Sequence, residues 1–475
     1  MAHRHDSSPD ETLWQATNVD IPALQQIVCV HFRSESRTYT RMDDGAYARV
    51  FLFSLENNMQ VVARVILPIR ESLKTEAEVV AMEVVRGEIA AVVSILELIT
   101  YSFYIARTSI PVPQVYLYCS TPHNPVRAEW ILMQYMPGVR LGDCIENLTD
   151  SQKHQTGMDL ATIMFSLFQI TAPKCGSLVR SGYQDDSCLR YRSLRYPICR
   201  PKDTQGQNPS KAPAVPKEHF SVGPVNDISF LDYPRQLPLE LCGPFNTERD
   251  WMEAFAFGGK VRHEPLTEEW KKLELWAFEK TLEVYDVVAE FYRRSSHSTF
   301  NESGMFHLAH GDFSSYNILI DPDTGAITGL IDWEMAGFRP AWLAAVGGGW
   351  FNDDSERFLM TDDQSSRDNY AEETPTDAIT RASFRLRLAA LDEELFGHYL
   401  LGLELRALFY ACCNEFAGNA EIWLIKYEEH EWSVKQRGSF PFDVMAWVKE
   451  RAVLEHRFVV QTHPICITAV TNVRV

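Results

Sequence analysis

The run His310-Gly311-Asp312-Phe313-Ser314-Ser315-Tyr316-Asn317, followed by Ile331-Asp332-Trp333-Glu334, constrains this chain more than any other feature. Between the two motifs lie two short apolar segments, Ile318 to Asp321 and Ala326 to Ile331, joined by Pro322-Asp323-Thr324-Gly325. Apolar runs separated by a turn of this composition read as a β-hairpin. Such a hairpin folds Asp332 back beside Asn317, so that two carboxylates and an amide converge. Phosphoryl transfer requires those groups: one carboxylate to orient an acceptor hydroxyl and take its proton, an amide oxygen and a second carboxylate to hold Mg²⁺ on the nucleotide phosphates. In that order the roles fall to Asp312, Asn317 and Asp332, a kinase-type pattern. Asp332 follows an apolar strand and precedes Trp333, which predicts partial burial, where a carboxylate is costly unless it meets a cation. His310 reads as a packing and hydrogen-bonding residue beneath the loop.

At these residues the chain resembles the aminoglycoside phosphotransferase family, whose members carry an H-G-D-x-x-x-x-N loop and a following I-D-W-E. The resemblance is to the large fungal branch. It extends to Val61-Val62-Ala63-Arg64, Thr75-Glu76-Ala77-Glu78-Val79, Ser109-Ile110-Pro111-Val112-Pro113, Ile131 to Gly138 and Cys175-Gly176-Ser177-Leu178. It implies an α+β, bilobal protein-kinase-like fold with a small β-rich N-lobe and a larger helical C-lobe. It also implies ATP or GTP as phosphate donor with Mg²⁺. The acceptor does not follow, because one fold serves many chemistries.

With 475 residues, 45% of them hydrophobic, the chain exceeds what one compact core usually holds, so two lobes are expected. A net charge of −19 disfavours a nucleic-acid partner and is compatible with a cationic small-molecule acceptor. The ten cysteines include no C-x-x-C pair, so neither a zinc site nor a disulfide scaffold is indicated. Met1 to Ser7 lacks the apolar run of a secretory signal, from which a cytoplasmic location is the inference.

Residues 1–20 form a polar leader and the N-lobe is expected over 21–138. Within it, Asp44 to Phe53 reads as strand, turn at Gly45 and strand, with Asn57-Asn58 turning into a further strand from Gln60 to Leu67. A hairpin of this kind lies over nucleotide phosphates through its backbone N–H groups. Arg64 stands where the kinase pattern puts a lysine, and Glu78 on the next helical stretch is its expected partner, with Glu76 as the alternative. Arginine brings a planar fork where lysine brings a point charge. Gln134 to Met136, before Pro137-Gly138, would form the hinge, and the resemblance implies that its backbone binds adenine.

The stretch Gly87 to Ala106, GEIAAVVSILELITYSFYIA, falls where the resemblance leaves room for almost nothing. Three readings are open. A membrane span would be near the lower length limit and would carry Glu88 and Glu97. An added buried helix would load a small domain with apolar surface. A translated intron fits the codons: Gly87-Glu88 can be written GGT-GAG, which holds a GTGAG donor, and Ile105-Ala106 ATA-GCN, which holds an ATAG acceptor. Excision would leave Arg86, one alanine and Arg107.

The C-lobe is expected over 139–455, with a Pro-rich loop at 196–224 and a tail at 456–475. Leu160 to Ile170 reads as a core helix under the catalytic loop, starting near Asp150. Leu266 to Arg294 has the periodicity of a long amphipathic helix; the resemblance implies that such a subdomain helps shape the acceptor pocket. Between Asp353 and Asp377 stand nine carboxylates and two arginines, a solvated acidic loop or a screen for cationic acceptors. Phe384 to Cys413 and Trp423 to Val453 read as closing helices. The sum is a small-molecule phosphotransferase. The alternative is a catalytically weak kinase-like nucleotide-binding or interaction module. A protein Ser/Thr kinase is disfavoured because no D-F-G or A-P-E segment is present.

Overall fold

The computed structural model describes residues 14, 17–44, 47–67, 72–87, 108–180, 220–227, 238–261, 304–346 and 375–402, and single positions between 272 and 289 and between 405 and 409. The chain divides into two compact units: Met1–Met136 with Leu178–Ser221, and Pro137–Ser177 with Val222–Val475.

The first unit opens with helix α1 (Ile21–Phe32), capped at its start by the Asp20 carboxylate, which accepts from the Ala23 N–H at 2.9 Å. Three strands follow, β1 (Ser36–Asp44), β2 (Ala48–Leu55) and β3 (Gln60–Ile66), then helix α2 (Leu73–Val85) and strands β4 (Val115–Cys119) and β5 (Glu129–Gln134). They make one antiparallel sheet of order β1-β2-β3-β5-β4. β3 therefore has a neighbour on each side, Arg64 standing opposite Val50 of β2 and Ile131 of β5. Alternation along the strand sends Val61, Ala63 and Val65 to one face and Arg64 to the other.

α2 starts without a capping side chain of its own, since Ser72 makes no cap bond and sits at φ +69°. Glu129 of β5 supplies the missing acceptor: it takes the Ser72 N–H at 2.8 Å and the Thr75 hydroxyl. A carboxylate placed there satisfies orphan donors and opposes the positive end of the helix dipole. The helix ends at Arg86 and Gly87, the latter at φ +68°. Residues 88–107, nearly all of the 87–106 stretch, lie outside the described residues, but both flanks are fixed. The Thr108 hydroxyl donates to the Val85 carbonyl at 2.6 Å, and Arg86 Nη1 to the Val112 carbonyl at 2.6 Å.

The second unit has two sheets. The smaller has the order β12-β11-β6, from β6 (Val139–Arg140), β11 (Ile318–Ile320) and β12 (Ile327–Leu330). The larger has the order β7-β10-β13-β8-β9, from β7 (Thr171–Ala172), β8 (Gly176–Arg180), β9 (Phe220–Gly223), β10 (Phe306–Ala309) and β13 (Gly337–Arg339). The division between the units falls within β8 and β9.

Helix α3 (Asp150–Phe168) starts in a capping box formed by Thr149 and Gln152. Its first turns carry the β11–β12 turn: Gln152 Nε2 donates to the Asp323 carbonyl at 2.8 Å, and the Thr156 hydroxyl to the Gly325 carbonyl at 3.1 Å. The core helix expected from Leu160 to Ile170 is the second half of α3, which ends at Phe168. Helix α4 (Glu248–Val261) buries Trp251 and Phe255. Helix α5 (Pro375–Leu391) lies against α3 at Gly157, where a Cβ would fall 2.3 Å from the Thr380 carbonyl oxygen; a glycine is needed for that approach. Helix α6 (Glu393–Leu401) follows.

Of the amphipathic helix expected over 266–294 only single positions are described, with Tyr285 and Ala289 buried. The Pro-rich loop up to residue 219, most of the acidic stretch, the 423–453 helix and the 456–475 tail lie outside the described residues. Among the described residues no helix is long and apolar enough to cross a membrane. Cys119, Cys144, Cys175 and Cys242 are buried free thiols.

Candidate active site

Two adjacent strand pairs set the geometry of the second unit's site. β10 runs directly into His310 and the Asp312 loop, which ends where β11 begins. The loop carrying Asp332 leaves β12 and ends where β13 begins. β11 pairs with β12, Ile318 opposite Leu330, and β10 with β13, Ala309 opposite Gly337. Each loop is thus held at both ends beside the other. The Ile331 N–H donates to the Asn317 carbonyl at 3.0 Å, extending the hairpin to the residue before Asp332.

Asp312 and Asn317 are bonded directly. Asn317 Nδ2 donates to Asp312 Oδ2 at 2.8 Å and to the Asp312 carbonyl at 3.0 Å. With the amide nitrogen so committed, the Asn317 oxygen is the end available as a hard ligand. Asp312 is open to solvent on one side. Protein encloses it enough that burial raises its pKa, with repulsion from Asp332 and then Glu334 adding to the rise and the Asn317 bond opposing it. Asp332 is half-buried at φ +66°, a left-handed conformation uncommon outside glycine and tolerated best by Asn and Asp.

His310 is fully buried, and its pKa is pushed down to about 4 by that burial. Its Nδ1 accepts the Asp312 N–H at 3.4 Å, which leaves Nε2 as the donor to the Ile331 carbonyl at 3.0 Å. One neutral tautomer satisfies both bonds, and the ring joins the residue preceding Asp332 to Asp312 itself. Trp333 packs over it at 4.5 Å and donates Nε1 to the Leu330 carbonyl at 2.9 Å. Beneath the loop, Gly311 is at φ +90° and a Cβ there would meet the Met335 carbonyl oxygen at 2.2 Å.

The sequence did not single out Asn226. It is fully buried, donates Nδ2 to the Glu334 carbonyl at 2.5 Å and takes the Ser177 hydroxyl as acceptor for its own N–H at 2.8 Å; among the described residues its Oδ1 has no hydrogen-bond partner. It therefore pins the far side of the Asp332 loop. The one signal was the Gly223-Pro224 turn two residues upstream, whose Pro224 carbonyl accepts from Ser177 N–H at 3.3 Å.

In the first unit, Arg64 Nη1 lies 3.2 Å from Glu78 Oε1, both side chains buried. Glu76, the alternative partner, is bound elsewhere: it accepts the Ser120 hydroxyl at 2.8 Å and the Tyr118 hydroxyl at 3.3 Å. Gln134 ends β5, and its N–H already donates to the Gln114 carbonyl at 2.8 Å, so a base binding there would need other backbone groups of that segment. Met136 is half-buried and is the last residue of its stretch of the first unit. Gly45 lies outside the described residues.

The sequence profile of the phosphotransferase enzyme family (APH) matches residues 38–372, most of the chain. The chain belongs to that family. Its α+β content and its division into two compact units accord with that membership. A subtelomeric hrmA-associated cluster protein of Aspergillus fumigatus is 23% identical over 343 residues, which are 64% of this chain and 58% of that protein. The chain thus spans less than two thirds of the curated relatives it matches. Among solved structures it is similar to aminoglycoside phosphotransferase APH(4)-Ia in ternary complex with AMP-PNP and hygromycin B, at TM-score 0.37 and 14% identity, covering 82% of this chain and 98% of that one. It is also similar to the gentamicin complex of APH(2")-IIa, at TM-score 0.35 and 12% identity, covering 83% and 99%.

Proposed function

We propose that this member of the phosphotransferase family moves the terminal phosphate of ATP or GTP to a hydroxyl of a small molecule. The observation that carries the reading is the direct Asp312–Asn317 bond at 2.8 Å, within loops that hold Asp332 alongside. Asp312 is the base: its carboxylate reaches solvent, and its raised pKa makes it a better proton acceptor than an ordinary aspartate. Asn317 Nδ2 holds the carboxylate toward the incoming hydroxyl.

The Asn317 amide oxygen and the Asp332 carboxylate fit Mg²⁺, a hard cation that takes one or two protein oxygens together with phosphate and water. When bound there, the ion would neutralise charge on the phosphate oxygens. His310 stays neutral and keeps the two loops in register. Arg64, held by Glu78, would orient the nucleotide phosphates, its planar fork matching their oxygens. The chain's net charge of −19 and the Glu334 carboxylate near Asp312 favour an acceptor that carries positive charge. A cytoplasmic setting suits a donor of this kind.

The test is Mg²⁺-dependent binding and hydrolysis of ATP and GTP by the purified chain beside Asp312→Ala, followed by an acceptor screen weighted to amino-bearing alcohols. Turnover that disappears in Asp312→Ala with nucleotide binding retained is the expected result. Binding without turnover in the parent would make the protein a nucleotide-binding module, and absence of binding would refute the reading.

A further inference from the structure

α2 carries three buried carboxylates, and they do not share a face. Glu76 and Glu83 are seven residues apart and fall within roughly 20° of each other around the axis, whereas Glu78 is roughly 160° away from Glu76. Glu78 meets Arg64 of β3. The other two meet Arg180, the last residue of β8 and also in the first unit. Arg180 Nη2 lies 2.6 Å from Glu83 Oε2, and its Nε donates to the Tyr118 hydroxyl at 3.0 Å and lies 3.8 Å from Glu76 Oε2. Tyr118 in turn donates to Glu76 Oε2 at 3.3 Å, and Ser120 to Oε1 at 2.8 Å. Burial, with Glu76 adding to it, keeps the Tyr118 hydroxyl protonated and so a donor. Arg180, Glu76 and Glu83 are all nearly inaccessible to solvent.

Burying an arginine with two carboxylates is a poor way to stabilise a domain. The desolvation cost rivals the attraction, and apolar residues of equal volume commonly do as well or better. What such a cluster does supply is orientation. A helix with carboxylates some 5–6 Å from its axis moves each of them by about 2 Å on a 20° rotation, enough to open either the Arg64 pair or the Arg180 pair. Ion pairs on opposite faces therefore resist rotation in both senses.

We propose that Arg180 is a positioning residue that fixes the rotation of α2, and through it the reach of Glu78 to Arg64. The catalytic consequence rests on the phosphotransferase reading of the Arg64–Glu78 pair; the rotational fix itself does not. Arg180 touches no substrate and acts only through the helix.

The experiment uses the full chain with Arg180→Met combined with Glu83→Gln, which removes the arginine together with its nearest carboxylate and leaves Glu76 its hydrogen bonds from Tyr118 and Ser120. Arg180→Lys and Glu78→Gln are made alongside. Calorimetric titration with Mg²⁺-ATP is expected to show a roughly tenfold weaker Kd for the paired variant, with little change in its urea midpoint. Arg180→Lys should restore part of the affinity. In a Glu78→Gln background the paired change should add nothing, because the route through Glu78 is already cut. An unchanged Kd, or losses that multiply with Glu78→Gln, would overturn the proposal. Hydrogen–deuterium exchange of the α2 amides reads the fix without any ligand. Faster exchange along the whole helix in the paired variant is expected, and unchanged exchange refutes it. A parent that binds no nucleotide would instead bring down the phosphotransferase reading, with the exchange result still deciding on Arg180.

Discussion

Replacing Gly311 by alanine tests whether the Asp312 loop is seated as described. Two costs follow from the structure. A residue with a Cβ at φ +90° is outside the comfortable left-handed region, a strain of about 1–3 kcal/mol. The added carbon would also sit 2.2 Å from the Met335 carbonyl oxygen and 2.6 Å from its carbonyl carbon, which are backbone atoms and cannot swing aside. Reaching ordinary contact means moving one of the two loops by about 1 Å. That overpacking adds about 1–3 kcal/mol, so the expected total is about 2–6 kcal/mol. The displaced backbone is the Asp332 loop itself, whose Met335 carbonyl also accepts from Arg339 Nη2 at 3.2 Å. A shift of that size between Asp312 and Asp332 should lower turnover about 100-fold. Urea unfolding followed by circular dichroism reads the first number, and steady-state nucleotide turnover the second. Gly304→Ala is the control: it too has positive φ, at +56°, but among the described residues a Cβ there meets nothing within 4 Å, so a stability loss of about 1 kcal/mol with normal turnover is expected. If Gly311→Ala behaves like Gly304→Ala, the close seating of the two loops is refuted.

Asp312→Asn should abolish turnover yet leave the protein more stable than the parent at neutral pH. The raised pKa means the folded state binds its proton more tightly than the unfolded one, so Asp312 favours folding below the ordinary carboxylate pKa and loses that contribution as pH rises through the folded value. A gain that persists undiminished below pH 3.8 would contradict this. His310 works in the opposite sense: with a folded pKa of about 4, stability is full above pH 6.5 and falls as pH drops toward 4, on the order of 3 kcal/mol in all. His310→Gln should flatten that part of the acid limb in pH-dependent denaturation, and an unchanged limb would count against a neutral buried ring. Removal of Gly87 to Ala106 with one alanine retained should give a folded, nucleotide-binding protein. Arg86 and Thr108 would then be three peptide steps apart, a reach of about 10 Å, and the Thr108–Val85 bond already holds the chain ends together. An aggregated product, or lost binding, would show the stretch to be integral and the intron reading mistaken.

The parts of this site that were legible in the sequence are those whose partners are near in the chain. Asn317 and Ile331 are joined by a hairpin whose turn is written in Pro322-Asp323-Thr324-Gly325, and Asn317 reaches Asp312 five residues back. The start of α3 is visible as Thr149 and Gln152 at capping-box spacing. Arg64 and Glu78 were paired through a resemblance; spacing alone left Glu76 equally eligible, since both lie on the same helix and nothing local says which faces the sheet. The choice was made by Tyr118 of β4 and by Ser120 just after it, which occupy Glu76 from more than 40 residues away.

By itself, then, the sequence determined the hairpin between Asn317 and Asp332 and the order of the polar residues along it, which rest on short loops and turn residues, local properties. The phosphotransferase family and the α+β class were legible through a resemblance carried by motifs spread along the chain. Tertiary structure alone decided that Glu129 would cap α2, that Arg180 would close on Glu83, that Asn226 would pin the Asp332 loop, and that His310 would be neutral. Each joins groups brought together only when the chain closes on itself, Arg180 and Glu83 being 97 residues apart and Asn226 and Glu334 108. A buried charge finds its partner through burial, and burial belongs to the folded chain.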